Sequence, residues 1–291
     1  MSVYIRQNGV RKKFHANDNW LILSSLEQAI KDKIESIGTP LSAWGLNINR
    51  GLLTGLNDAF IISAEKREAL IAEDPKSAEI IRPILRGRDI KRYQYNFANL
   101  YLIVAHNGNK KKNVPRINID DYPAIKKHLL SFGDKLISRF DQGDTPFNLR
   151  NCIYMDDFSK QKIVWGNLCL SAQFALAQKD IYVNAPSPMI VPGNKYILAI
   201  LNSKIGDWYI RRLGVTRNGG YFEYKPMFVE KLPIPQIGND QQVPFALLVD
   251  QIMKAKENKE DTKLLEQQID NLAFALYGLN DEEINYILSS Q

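Results

Sequence analysis

The stretch KYILAILNSKIGDWYIRRL, residues 195–213, carries apolar side chains at helical spacing and predicts one helix over Lys195–Leu213. Before this stretch, helical spacing also predicts helices at Ser24–Ile37, Glu65–Ala72 and Pro123–Phe132. Between them lie short runs rich in β-branched and aromatic residues and bounded by Gly, Asn, Asp or Pro, as strands are. These predicted strands are Trp44–Ile48, Ala59–Ser63, Leu100–Val104, Lys162–Trp165, Ile181–Asn184 and Met189–Val191. Because helices and strands do not alternate regularly, the sequence predicts an α+β fold with a curved mixed, partly antiparallel sheet and flanking helices.

After Pro235 the pattern changes to longer helices, predicted at Val243–Glu257 and Lys263–Tyr277. Gly278 ends the second of them, and a short final helix is capped by Asn280 with Glu283 three residues further on. The sequence therefore predicts three parts: a linker-like segment at residues 1–19, a main domain at 20–242 and a C-terminal helical hairpin at 243–291.

The composition excludes several classes of protein. Two cysteines in 291 residues are too few for a disulfide scaffold, and 45% hydrophobic residues exclude low-complexity disorder. No uninterrupted apolar run of about 18 residues predicts a membrane helix, and the N-terminal residues do not form a signal peptide. We therefore expect a cytoplasmic protein that does not associate with a membrane.

The charge is distributed unevenly along the chain. The net charge is +6, but residues 250–291 carry nine acidic and four basic residues, so residues 1–249 are strongly basic. Residues 82–127 hold eleven Lys or Arg and three acids. This concentration indicates an anionic partner, nucleic acid first, although a solvated lysine-rich surface would show the same pattern.

The common catalytic motifs are missing from the sequence. There is no phosphate-binding G-x-x-x-x-G-K-[ST], and no Cys or His pair has the spacing of metal ligands, so we expect neither a metal nor a cofactor in this chain. Amino-methyltransferases need an acid or amide followed by two prolines and an aromatic residue, and no Pro-Pro occurs here. The triplet Glu223-Tyr224-Lys225 matches the E-x-K of metal-dependent nucleases, which leaves a nuclease as an alternative.

Four segments combine cations, amides, glycines and aromatic residues in the manner of a nucleic-acid contact: residues 47–60, 84–93, 107–113 and 211–226. Arg is suited to bidentate contacts with phosphate or guanine, and tyrosine to stacking on a base. The residues predicted to contact DNA are Arg50, Thr54, Asn57, Arg86, Arg88, Lys91, Arg92, Lys110, Lys111, Lys112, Arg217, Asn218, Tyr221 and Tyr224. Each segment also has an explanation that involves no ligand. Residues 47–60 could be a β-hairpin with structural glycines, and residues 84–93 a solvated turn. Residues 107–113 could be a flexible surface loop, and in residues 211–226 Tyr221 and Phe222 could pack in the core.

In their order along the chain and in their amino-acid sequences, these segments resemble one family, the TaqI-like target-recognition domain. The resemblance rests on motifs that run from the first predicted strands to the terminal helices. They are Gly51–Phe60 (GLLTGLNDAF), Arg86–Tyr93 (RGRDIKRY), Lys162–Trp165, Asn202–Trp208, Glu230–Pro235 and Leu265–Ile284.

The resemblance implies that residues 20–242 form a recognition domain of a type IIG restriction-modification enzyme, one that is an adenine-specific DNA methyltransferase. Such a domain reads a short asymmetric sequence in double-stranded DNA for a catalytic methyltransferase domain, either N-terminal or on a separate chain, that binds S-adenosylmethionine. It implies a bacterial or archaeal cytoplasm and no catalytic residue in this chain. The alternatives are a metal-dependent DNA nuclease that uses Glu223 and Lys225, and a protein-interaction module of a larger complex.

Overall fold

The computed structural model describes residues 23–290, so the predicted linker at residues 1–19 lies outside the described residues. The α-helices are α1 (Ser25–Ile37), α2 (Asn57–Phe60), α3 (Ala64–Glu73), α4 (Pro123–Leu130), α5 (Asp134–Ile137), α6 (Lys195–Asn202), α7 (Lys204–Leu213), α8 (Pro226–Val229), α9 (Asn239–Glu257), α10 (Lys263–Leu276) and α11 (Asp281–Ser289). The 3₁₀ turns are Leu41–Ala43, Pro75–Ile80, Gly87–Asp89, Lys110–Lys112, Ile119–Asp121, Met155–Ser159 and Asn218–Gly220. None of the helices in the described part of the chain is long and apolar enough to cross a membrane.

The strands are short. They are β1 (Thr39–Pro40), β2 (Asn47–Arg50), β3 (Ile61–Ser63), β4 (Ile81–Leu85), β5 (Ile90–Lys91), β6 (Gln94–Tyr95), β7 (Leu100–Ile103), β8 (Lys162–Trp165), β9 (Leu168–Cys169), β10 (Phe174–Ala177), β11 (Tyr182–Val183), β12 (Pro188–Val191), β13 (Thr216–Arg217), β14 (Tyr221–Glu223) and β15 (Pro233–Ile234). Two four-stranded sheets dominate, in the orders β10-β8-β12-β2 and β11-β4-β7-β3. The first is antiparallel throughout, and the second contains one parallel pair, β11 with β4. The predicted α+β class with partly antiparallel sheets is confirmed.

The central strand β8 explains how the two cores are arranged. Every residue of β8 is buried, but its side chains alternate between two hydrophobic cores: Ile163 and Trp165 belong to one, and Val164 to the other. The first core also contains the apolar faces of α1 and of the helices after β12, whereas the second lies between this sheet and the β4-containing sheet. The sheet that carries β8 is therefore covered on both faces.

The helix predicted over Lys195–Leu213 is two helices. The first ends at Asn202, whose buried side chain accepts a hydrogen bond from the Phe174 backbone nitrogen (3.0 Å) and donates one to the Phe174 carbonyl (2.9 Å). Ser203 then caps the second helix by accepting a hydrogen bond from the Gly206 nitrogen at 3.2 Å. The chain turns here because Asn202 is held by strand β10.

The C-terminal helices form as predicted, with small differences at their ends. Helix α9 starts at Asn239, four residues earlier than predicted, and the Asn280–Glu283 capping box of α11 is present. Val249 of α9 and Ile269 of α10 lie in the same core as α6 and α7. The hairpin therefore packs directly on the rest of the protein.

Residues 47–60, for which the explanation without a ligand was a β-hairpin with structural glycines, are folded differently. Strand β2 belongs to the β8 sheet, whereas β3 begins only at Ile61 and belongs to the other sheet, with helix α2 before it. These two strands are not a hairpin, because each finds its partner far away in sequence: β2 pairs with β12 and β3 with β7. The sequence analysis also missed strands β4, which contains Pro83, and β10, which contains two alanines.

Candidate nucleic-acid interface

A cleft of about 500 Å³ brings together parts of two of the predicted segments. It lies between the turn at Gly87–Lys91, the turn at Gly166–Leu170 and the ring of Tyr221; we call it the central cleft. Its lining residues are Gly87, Arg88, Lys91, Gly166, Asn167, Leu168, Cys169, Leu170, Gln173, Pro186, Ser187 and Tyr221. Cations, amides and an aromatic ring thus share one concave surface, which is the chemistry required to bind phosphate and base together.

Glycines allow the two turns to approach each other. A Cβ atom on Gly87 would lie 3.0 Å from the Ser187 Oγ and 3.6 Å from the Gly166 Cα, and a Cβ atom on Gly166 would lie 3.4 Å from the Gly87 carbonyl oxygen. Side chains at these positions would fill the floor of the cleft. The side-chain oxygen of Asn167 is buried in its wall without a hydrogen-bond partner among the described residues.

Within the Arg86–Tyr93 segment the cations have different roles. Asp89 is buried and accepts hydrogen bonds from the Arg86 backbone nitrogen (2.8 Å) and from its guanidinium (2.9 and 2.8 Å). Burial opposes ionisation of Asp89, but these hydrogen bonds from Arg86 lower the pKa of its carboxyl overall. Arg86 therefore holds the turn, whereas Arg88 is exposed and Lys91 half-buried, and both face the cleft.

Arg92 lies elsewhere. Its guanidinium pairs with Glu266 of α10, and its side chain lines a separate cavity of about 720 Å³ beside the C-terminal helices. The same carboxylate also pairs with Lys256 at 3.1 Å. Arg92 therefore connects the strand β5 region to the C-terminal hairpin, a position that the sequence analysis did not anticipate.

Strand β14 brings the fourth segment to the cleft. It pairs with β9, so that Phe222 lies opposite Cys169 and Glu223 opposite Leu168. Tyr221 is 43% exposed and lines the cleft, and Asn218 is exposed in the turn before it. Tyr224, in contrast, is buried: its hydroxyl donates to Asp207, and its carbonyl accepts a hydrogen bond from the Trp165 Nε1 at 2.6 Å. Tyr221 is accessible to a ligand, whereas Tyr224 is part of the core.

The E-x-K triplet is an ion-pair cluster. The Glu223 carboxylate is almost fully buried, and it accepts from Lys225 Nζ at 2.9 Å and from Arg217 Nε at 2.6 Å. These hydrogen bonds, Lys225 first, lower the pKa of Glu223. No group of three or more His, Cys, Asp or Glu side chains that could hold a metal ion occurs between residues 23 and 290.

The Asn47–Phe60 segment meets the central cleft at its first glycine. The Gly51 nitrogen donates to the Ser187 carbonyl at 2.8 Å, and Ser187 lines the cleft. Arg50 and Asn57 are exposed, whereas Thr54 is buried and its hydroxyl donates to Asn57 Oδ1 at 2.6 Å. Thr54 therefore supports the turn and Asn57 is the accessible residue.

The Lys110–Lys112 turn lies apart from the central cleft. All three lysines are exposed, and Lys112 pairs with Asp156. Lys110 and Lys111 line a smaller cleft of about 230 Å³ that also contains Asp144 and Ile153. The four predicted segments thus form more than one surface.

Two buried cations were not predicted from the sequence. Arg139 is 5% exposed, and burial lowers its pKa to about 10. Lys162 is fully buried, its Nζ donates to the carbonyls of Gln178 (3.2 Å) and Ile181 (3.0 Å), and burial lowers its pKa to about 8. Neither carries a sequence signal, because a buried cation and an exposed one look alike in sequence. Cys152 and Cys169 are free, and burial raises the pKa of each to about 11, so neither is a reactive thiol.

Comparison with known proteins gives the family of this α+β domain. Residues 82–234, more than half of the chain, match the TaqI-like C-terminal specificity domain. This chain belongs to that family. The matched region contains all of the residues that line the central cleft, including Arg88, Lys91 and Tyr221. Comparison with curated proteins gives no significant match.

The solved structures that are similar to this chain include two restriction enzymes. The first is the type IIL restriction-modification enzyme MmeI in complex with DNA, with a TM-score of 0.65 and 12% identity; the match covers 85% of this chain and 35% of that one. The second is the type IIG restriction endonuclease BpuSI, with a TM-score of 0.46 and 13% identity, over 88% of this chain and 34% of that one. This chain therefore spans about a third of the length of each, and the similarity to MmeI supports the fold.

Proposed function

We propose that this chain is a sequence-specific recognition module for double-stranded DNA, part of a type IIG restriction-modification system that methylates adenine at N6. The observation that carries the proposal is the central cleft, where Arg88, Lys91 and Tyr221 face one cavity in the region that matches the specificity family. No ion pair joins Arg88 or Lys91 to a carboxylate within the described residues, although the charge of Arg88 contributes to lowering the pKa of the neighbouring Asp89, so both cations are available to phosphates or base edges.

The module would position a methyltransferase domain, N-terminal or on a separate chain, over its target adenine. The sequence has no acid or amide followed by Pro-Pro, so we place catalysis and S-adenosylmethionine in that other domain. The setting would be a bacterial or archaeal cytoplasm. The nuclease alternative is weaker because the Glu223 carboxylate already binds two cations of its own chain.

The proposal is tested by fluorescence anisotropy of the full chain with a pool of randomised duplexes at several salt concentrations, followed by sequencing of the bound fraction. We expect salt-dependent binding and enrichment of a short asymmetric motif that contains adenine. Arg88→Ala with Lys91→Ala should weaken binding and reduce the slope of log K against log salt by up to about 2.

A matched control is the double variant Lys179→Ala with Lys254→Ala, which removes two exposed lysines that do not line the central cleft. Its binding should change much less. The proposal would be rejected if the wild-type chain did not bind duplex DNA at low salt, or if the two double variants behaved alike.

A further inference from the structure

Phe140 is the most exposed large hydrophobic residue in the described part of the chain, with 86% of its surface accessible. It lies in the loop that follows α5, outside all of the segments that the sequence analysis selected. An exposed phenylalanine loses the free energy of burial, so a rigid loop that presents one to solvent suggests a binding partner.

The loop is held in place by its neighbour Arg139. The buried guanidinium donates to the carbonyls of Thr54 (2.6 Å) and Asp141 (3.0 Å), and to that of Pro146 through two nitrogens (3.2 and 3.1 Å). It also donates to the Asn148 carbonyl and lies over the Phe60 ring, 4.6 Å from the centroid. One side chain thus ties the Phe140 loop to the core and to the Thr54 turn.

The backbone of Phe140 also lies directly against that turn. A Cβ atom on Gly55 would be 1.7 Å from the Phe140 carbonyl oxygen, and Gly55 has a φ of +67°. Only glycine fits at this position, because any other side chain would clash with the Phe140 carbonyl and would be strained at a positive φ. The Phe140 backbone therefore lies against the turn that leads to Asn57, an exposed residue of the first predicted DNA-contact segment.

The loop that carries Phe140 is also connected to the Lys110–Lys112 turn. Asn107 joins it to the lysine turn, because its Oδ1 accepts from the Asp144 nitrogen at 2.8 Å and its Nδ2 donates to Asn151 at 2.7 Å. Lys110 and Lys111 line the cleft formed with Asp144 and Asn151. The loop that carries the exposed Phe140 ring is thus hydrogen-bonded, through Asn107, to the turn that carries the exposed Lys110 and Lys111.

We propose that Phe140 is an apolar wedge that inserts between base pairs of duplex DNA while Lys110 and Lys111 bind the adjacent phosphates. Proteins that kink DNA use such a combination: a rigid apolar side chain unstacks a base step, and flanking cations hold the backbone. The rigidity supplied by Arg139 matters because a mobile ring would have to lose conformational entropy at the same time as it unstacks the bases. This inference rests on the proposed function, since it specifies how that module engages its duplex.

The first test compares Phe140→Ala with Leu264→Ala, a substitution of another largely exposed apolar residue, on helix α10. Anisotropy with a fluorescent pool of random 30-base-pair duplexes should show roughly tenfold weaker binding for Phe140→Ala, near the loss of one base–aromatic stack. The salt slope should not change, because no charge is removed. Leu264→Ala should bind like wild type, and both variants should retain the wild-type thermal midpoint.

The second test uses tryptophan as a reporter at the same two positions. In Phe140→Trp, addition of the duplex pool should quench the added emission relative to wild type, because the indole stacks on bases. Leu264→Trp should show no such difference. Wild-type binding with an unaffected Phe140→Ala, or with an unquenched Phe140→Trp, would overturn the wedge while the proposed function stands. If the wild-type chain binds no duplex at all, both are overturned.

Discussion

Arg86 and Asp89 form a two-point ion pair across a single 3₁₀ turn, with the Arg86 Nε 2.9 Å from Asp89 Oδ2 and its Nη2 2.8 Å from Oδ1. The carboxylate is 6% exposed and also caps the Arg86 backbone nitrogen. This pair fixes the shape of the turn from which Arg88 and Lys91 reach the central cleft. Two arginines that are two residues apart therefore have separate tasks.

We predict that Arg86→Ala will lower the free energy of unfolding by about 2 kcal/mol, because it leaves a buried carboxylate without its charged donor. Arg88→Ala should leave stability unchanged and weaken DNA binding. Urea denaturation and duplex anisotropy of the two single variants measure the two effects separately. Equal losses of stability in both variants would contradict this division of roles.

Glu223 restrains two cations, so its replacement should change DNA binding. In Glu223→Gln we expect tighter binding to random duplex with a steeper salt dependence, because Arg217 and Lys225 lose their carboxylate partner. Preference among sequences should weaken, since the released side chains are no longer held in one geometry. Binding and selection experiments at several salt concentrations measure both effects.

The variant Lys225→Met is the matched control, because it leaves the Glu223–Arg217 pair intact and adds no free cation. Its salt dependence should not become steeper. Glu223→Gln also tests the nuclease alternative: metal-dependent plasmid cleavage by the wild-type chain that disappears in this variant would favour a nuclease.

Asp270 makes stability depend on pH. Burial raises the pKa of its carboxyl to about 6, against 3.8 for the ordinary group, although it accepts a hydrogen bond from the Lys204 nitrogen at 2.7 Å. The cost of holding the charged form is therefore fully present above pH 6 and absent below about pH 4. Asp270→Asn removes the charge and keeps an acceptor.

We expect Asp270→Asn to be more stable than wild type at pH 8, with a difference that shrinks as the pH falls through 6 and disappears near pH 4. Denaturant titrations at pH 8, 6 and 4 follow this difference. A gain that stays constant over that range would show that ionisation of Asp270 is not its cause.

Lys162 makes a second pH-dependent contribution, at higher pH. The pKa of its amine is lowered to about 8, whereas the unfolded chain keeps the ordinary value of 10.5. Between these values the unfolded chain binds a proton that the folded chain has released, so this residue makes stability increase with pH from 8 towards 10.5.

Lys162→Met should abolish that increase while it also removes the hydrogen bonds to Gln178 and Ile181. The difference between the two proteins is measured by urea denaturation at pH 7.5, 9 and 10. Parallel pH profiles of wild type and Lys162→Met would refute the assignment.

The elements whose signals are local could be predicted from the sequence alone. Residues a few positions apart predict these elements, because caps and periodicity depend on short-range geometry. They are the Ser24–Glu27 and Asn280–Glu283 capping boxes, strand β8 and the C-terminal helices. The order of the motifs also indicated the family. The positions of several predicted contact residues depend on partners far away in sequence, as for Arg92 with Glu266 and Tyr224 with Asp207.

Which cations are available to a ligand depends on contacts that form only in the folded protein. Arg86, Arg88 and Arg92 lie within seven residues and look alike in sequence, yet one is paired within its turn, one faces the central cleft and one is bound to a distant helix. The sequence also does not show that Arg139 is buried and its neighbour Phe140 is exposed. Arg139 is buried because its guanidinium binds the carbonyls of residues 54, 146 and 148, which folding brings together. Charge is a property of the residue, but its availability depends on the carboxylates and carbonyls that folding brings beside it.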